Sequence, residues 1–216
     1  MPTLTPESAG RPPGIRTIFI DFGNVIAFFD HHRATARLIP FTDMPEAELF
    51  RTLYGGRLEE DFEHGRITTE EYVRDAIRAG RLTCTPDEFE SAFQAIFTPN
   101  PEILDLIPRL KPRYRLVLAS NTTDAHYRKY CDQFSSAMAH FDARCPSHHV
   151  GHRKPAAAYY EYCQRFADAP PHQCLFIDDI AGNVEAATAA VRWKGIVYCP
   201  RDSFVDKLRV LGIEVS

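Results

Sequence analysis

Apolar residues first gather in Thr17-Ile18-Phe19-Ile20, a run that stops at the carboxylate of Asp21. Gly23 and Asn24 follow at once, and both tolerate unusual backbone angles. A short apolar run bounded by such a turn predicts a buried parallel strand. Two later runs end the same way. Tyr114 to Ala119 leads into Ser120-Asn121, and Cys174 to Ile177 leads into Asp178-Asp179. Open α/β sheets place ligands beyond the carboxyl ends of their strands. One Ser and three Asp are therefore expected at one rim, with Lys154 between the last two runs.

Other segments change period. Residues 1–14 hold four Pro and two Gly and are expected to form a loose tail. Val25 to Phe29 is a second apolar run, short enough for a flap strand, closed by Asp30-His31-His32. From about 31 to 98 the period is helical, and no strand pattern interrupts it. Leu49, Phe50 and Leu53 share one face. Thr68-Thr69-Glu70-Glu71 and Thr85-Pro86-Asp87-Glu88 are capping boxes, the second with Pro at the first helical position. Phe89, Phe93, Ile96 and Phe97 then form an amphipathic stripe. Beyond it strand and helix alternate, with helices expected from Asn100-Pro101, near Asp124 to Phe134, from Pro155, over Asn183 to Val191, and near Phe204 to Leu211. A strand is expected over Gly195 to Cys199, and an irregular stretch from His140. Such alternation predicts an α/β fold, a Rossmann-like parallel sheet with helices on both faces.

Composition narrows the function. At 216 residues, with 44% hydrophobic and 25% charged positions, the chain has an ordinary globular balance. A net charge of −4 offers no basic field for nucleic acid. No apolar run approaches the ~20 residues that span a bilayer, and the first residues lack a secretory signal's basic start and apolar core. Six cysteines occur without a C-x-x-C pair, which fits reduced thiols in a cytoplasmic protein.

Four motifs in order carry a family resemblance: Asp21 in I-D-F-G-N-V, Ser120 in L-A-S-N-T, Lys154 in G-H-R-K-P, and Asp178-Asp179 in F-I-D-D-I-A-G-N-V-E-A-A. Together they resemble the haloacid dehalogenase superfamily, whose members are mostly phosphohydrolases. The resemblance implies a core of residues 15–30 and 99–216, with 31–98 inserted as an all-helical cap. It implies Mg²⁺ held by Asp21, Asp178 and the Gly23 carbonyl, with Asp179 on metal-bound water. It further implies Asp21 as nucleophile toward a small phosphorylated metabolite, through an aspartyl-phosphate. Ser120, Asn121, Asn24 and Gly23 would line the phosphoryl group, and Lys154 would offset its charge. Asn183 looks like the family asparagine that hydrogen-bonds the acid cluster.

The first motif departs from the usual D-x-D, because Gly23 stands where the family's general acid would be. General acid–base help is typically worth ~10²–10⁴ in rate. Some bacterial relatives resembling sugar 1-phosphate phosphatases share the D-x-G-N-V form, which implies that the reaction survives. Either the leaving hydroxyl is acidic, as at an anomeric carbon, or Asp30, His31 or His32 reaches in. Two other readings stay open: a 2-haloacid dehalogenase, which would need no metal and leave Asp178-Asp179 without purpose, and a non-catalytic binding protein. Tyr54, Asp61 and His64 are candidates to face the cleft and select substrate. Cys145, His148, His149 and His152 offer four zinc-type ligands in eight residues. Their spacing matches no familiar finger, and the resembling family segment S-H-x-V-G-x-R-K-P carries no metal.

Overall fold

A computed structural model of the chain describes residues 14–215. The expected tail, apart from Gly14, lies outside those residues. The elements run β1 (Thr17–Ile20), β2 (Ala27–Phe29), α1 (His31–Leu38), α2 (Glu46–Leu53), α3 (Arg57–Glu63), α4 (Thr69–Ala79), α5 (Pro86–Gln94) and β3 (Phe97–Pro99). There follow α6 (Pro101–Leu110), β4 (Arg115–Ser120), α7 (Asp124–Gln133), α8 (Ser135–Met138), β5 (Ala143–Pro146), α9 (Ser147–Val150) and α10 (Ala157–Gln164). The chain finishes with β6 (Cys174–Asp178), α11 (Ala181–Val191), β7 (Lys194–Val197) and α12 (Phe204–Val210).

The main sheet is parallel, in the order β5-β4-β1-β6-β7. Ile20 pairs with both Leu118 and Ile177, so the three motif-bearing strands end side by side. Their side chains alternate with the strand period of two. Ile18, Ile20, Leu116, Leu118, Leu175 and Ile177 enter one buried cluster. Phe19, Val117, Ala119 and Phe176 enter another on the opposite face, where Trp193 stacks on Phe19 with ring centroids 3.9 Å apart. A sheet buried on both faces is why these strands read as continuous apolar runs.

Helices α1 to α5 close around a third cluster of their own, which includes Leu49, Leu53, Phe62, Tyr72, Phe89 and Phe93. Among the described residues its buried members fall between 34 and 96, apart from Ala125 of α7. Both capping boxes form: Thr68 and Thr85 each accept from the backbone three residues on, and Glu71 and Glu88 reach back.

Two expectations are corrected here. Phe97 does not continue the α5 stripe; Phe97–Pro99 is a strand, antiparallel to the flap strand β2, with Phe29 opposite Phe97. Ala95 already leaves helical geometry, so the helix ends before the last two apolar positions of the stripe. The stretch after His140 is not irregular either. It holds β5, an edge strand ending in Pro146, where a missing N–H costs no ladder bond. Asn100 precedes α6 without capping it. Its amide donates instead to the Val25 carbonyl (2.6 Å) and to the Tyr198 hydroxyl (2.8 Å), holding the turn after β1.

Candidate active site

Asp21 sits one residue beyond β1, and Asp178 is the last residue of β6 beside it. Lys154 reaches between them, its ammonium 2.8 Å from Asp21 Oδ1 and 2.7 Å from Asp178 Oδ2, and it also donates to the Ala119 carbonyl at 3.0 Å. A buried ammonium is stable only with such partners. Burial disfavours its charge, but Asp21 and Asp178 outweigh burial and raise its pKa. At Asp21 the balance differs. Burial pushes the carboxyl up to about 7, with Lys154 opposing and Asp178 adding.

Each acid is held by specific donors. Asp21 Oδ1 accepts from the Phe22 N–H (2.7 Å) as well as from Lys154. Asp178 Oδ1 accepts from the Ile180 N–H (2.8 Å) and from the Asn183 amide (3.0 Å). Asn183 thus sits beside the acid cluster. Asp179 Oδ2 accepts from the Asn24 amide at 3.1 Å, and burial raises its pKa. Asn24 has φ 54°, a left-handed conformation that Asn tolerates, and this turn aims its side chain at Asp179.

Asp21, Asp178 and Asp179 each offer an oxygen within 4.8 Å of the others. Three convergent carboxylates, two of them buried, form a hard, all-oxygen donor set of the kind magnesium takes. The residues present therefore fit that ion.

Ser120 ends β4, buried, and Asn121 follows. The Asn121 side chain clamps Lys154: its oxygen accepts from the Lys154 N–H (2.8 Å), and its amide donates to the Lys154 carbonyl (2.9 Å). A cleft of about 480 Å³, counting its open mouth, lies over Gly23, Ser120 and Asn121, roofed by His31, Glu59, Glu63, Phe93 and His126.

The expected general-acid candidates are sorted by this cleft. Asp30 does not reach it; its carboxylate accepts from the His32 N–H at 2.9 Å and caps α1. His32 is exposed and stacks on Phe50. His31 does line the cleft, stacked on Tyr54 at 4.1 Å, with a buried Nδ1 that has no hydrogen-bond partner; burial lowers its pKa to about 4. Phe29 fills the region of the missing acid. A Cβ on Gly23 would meet the Phe29 ring at 2.8 Å.

The expected substrate selectors are also corrected. Asp61 is spent on Arg57 and Arg66, and His64 turns back to the Glu60 carbonyl. Tyr54 is buried in the helical segment's own cluster. Glu59 and Glu63 line the cleft, one helical turn apart on α3; burial raises both, and at Glu63 the ion pair with Arg153 (2.7 Å) opposes it. Their i, i+4 spacing was a signal available in the sequence. Of the zinc-type residues, Cys145 is buried in the sheet core, and His152 is exposed apart from the others.

A parallel sheet with a carboxylate–lysine–carboxylate cluster at the carboxyl ends of adjacent strands places the chain among α/β proteins that carry their chemistry at that rim. The particular family follows: the chain belongs to the haloacid dehalogenase-like hydrolases, whose family model matches residues 15–190. It is 24% identical over 176 residues to the D-ribitol-5-phosphate phosphatase of Bacteroides thetaiotaomicron, covering 79% of this chain and 85% of that protein. A HAD family enzyme from Bacteroides thetaiotaomicron, solved in complex with magnesium and inorganic phosphate, shares the fold. Its TM-score is 0.78 at 22% identity, over 91% of this chain and all of that one. The L-2-haloacid dehalogenase of Xanthobacter autotrophicus is more distant, with TM-score 0.62 at 13% identity over 94% of this chain and 84% of that one.

Proposed function

We propose that the chain is a Mg²⁺-dependent phosphomonoesterase for a small, polyhydroxylated phosphate ester, with residues 31–98 acting as the cap that selects it. The observation that carries this reading is the meeting of Asp21, Lys154, Asp178 and Asp179 at one sheet rim. Asp21, Asp178 and the Gly23 carbonyl would hold the ion, with Asp179 supporting it, and the bound ion would supply charge neutralisation for the phosphate dianion.

Asp21 has its Oδ1 occupied by two donors, which leaves Oδ2 as the oxygen that attacks phosphorus. The ester oxygen leaves with the bonding pair and takes a proton from solvent; water then attacks phosphorus of the aspartyl-phosphate, gives up a proton to solvent, and frees inorganic phosphate and the Asp21 carboxylate. Lys154, fixed by the Asn121 clamp, holds positive charge against the nucleophile. Ser120 and the Asn121 N–H line the phosphoryl side. Glu59, Glu63 and Thr123 at the cleft wall suit hydroxyl groups of the leaving alcohol. The ribitol-phosphate activity of the relative supports that substrate class.

The dehalogenase alternative needs no cation and leaves the three-carboxylate set unexplained. Asp21→Asn tests the reading: phosphate release should fall by at least ~10³-fold, and chelation should abolish what the wild type shows. Chloride release from 2-chloropropionate without metal would favour the alternative.

A further inference from the structure

Asp124 at the first turn of α7 and His148 and His149 on α9 bring three ligand atoms within 4.8 Å of one another, and none of the three belongs to the acid cluster. The two histidines belong to the zinc-type run of the sequence, and Asp124 joins them from another element. His148 is the decisive member. Its side chain is only 5% exposed, yet Nε2 has no hydrogen-bond partner. Its other nitrogen, Nδ1, is 3.1 Å from the Thr122 carbonyl, which requires Nδ1 to carry the proton. Nε2 is then a bare lone pair, and it points toward Asp124 Oδ1 at 3.9 Å. A ligating imidazole shows this arrangement, with the far N–H tied to a carbonyl and the near nitrogen free. Burial, then His149, hold the His148 pKa down to about 4, so the ring stays neutral at physiological pH.

Asp124 is similarly prepared. Its Oδ2 is taken by the Thr69 hydroxyl (2.9 Å) and by Arg128 Nε (3.1 Å), while Oδ1 faces the histidine. His149 is exposed and packs against His148 and Tyr127, with ring centroids 4.2 Å and 5.5 Å away. Ligands of a tetrahedral zinc with Zn–N ~2.0–2.1 Å lie about 3.4 Å apart. The 3.9 Å gap therefore needs only a small side-chain rotation.

We propose that Asp124, His148 and His149 form a second cation site, selective for a borderline transition ion such as Zn²⁺ over Mg²⁺. Two imidazoles and one carboxylate match that ion class. Three protein ligands leave a fourth position to water. The site also braces the helical segment. Thr69 of α4 binds Asp124, and Ser147, next to His148, contacts the Glu63 carbonyl of α3 at 2.8 Å.

The test is calorimetric titration of Zn²⁺ into chelator-treated full-length protein held in saturating Mg²⁺, together with the shift in Tm. Wild type should bind one Zn²⁺ per chain and gain Tm. His149→Ala, at an exposed position that leaves the fold intact, should weaken binding by at least ~10-fold and lose the Tm gain. Asp179→Asn, in the acid cluster, should retain the site. Absence of binding in wild type, unchanged affinity in His149→Ala, or loss of the site in Asp179→Asn would each overturn the proposal. None of these results depends on whether the chain hydrolyses phosphate esters.

Discussion

Gly23 and Phe29 belong together. The ring lies where a side chain at position 23 would go, 2.8 Å from the place of its Cβ. Gly23→Asp alone should therefore gain little, because the ring competes with the new carboxylate. Gly23→Asp with Phe29→Ala should raise kcat on an alkyl phosphate by ~10-fold or more, a fraction of what general acids typically supply. A double variant no faster than the single would show that position 23 is not where the leaving group sits. Lys154 makes a different case. Lys154→Met should cost ~3–5 kcal/mol, because it leaves two buried carboxylates facing each other. Its Tm should rise more steeply with added Mg²⁺ than that of wild type; an equal rise would place the ion elsewhere. Asp21, Asp178, Lys154 and Asn183 were legible from motifs because each motif fixes a residue at a strand end or helix start. Asp30 misled, since a carboxylate before a helix is worth more as a cap than in a cleft. The Asn121 clamp and the Asp124–His148 pair join distant segments, and no local pattern reports such pairs.

At the scale of elements, α7 is the joint between the sheet and the helical segment. His126 on α7 stacks on Phe93 of α5 at 4.2 Å, with Nε2 3.0 Å from the Phe93 carbonyl. Burial lowers its pKa from 6.5 to about 3. The unfolded chain takes up that proton first, so stability is intact above pH 6.5 and drains as pH falls toward 3. His126→Phe keeps the stacking and removes the titration. Denaturant midpoints measured across this range should fall less steeply for that variant, and parallel slopes would refute the assignment. The capped helices α4 and α5 were legible because capping boxes are local. Strand β3 was not, because Phe97 also fits the helical spacing of α5, and β5 was not, because Arg144 and Pro146 interrupt any apolar run.

For the whole molecule, the order of motifs implied a shared rim, but the arrangement β5-β4-β1-β6-β7 is a tertiary fact. Placing β1 between β4 and β6 brings Ser120, Asp21 and Asp178 onto neighbouring strand ends, and Lys154 enters from the loop before α10. The helical segment, with an apolar cluster of its own, lowers Glu59 and Glu63 over that rim. Which alcohol the cleft accepts depends on those contacts across segments, and this is why no stretch of sequence names the substrate. The described helices include none long and apolar enough to cross a membrane. One assay bears most directly on this account: inorganic phosphate released from a panel of sugar and polyol phosphates with Mg²⁺, using Asp21→Asn as the blank. Turnover of at least one polyol or sugar phosphate, lost in the blank and on chelation, is the predicted result. Equal phosphate release by wild type and Asp21→Asn would contradict it.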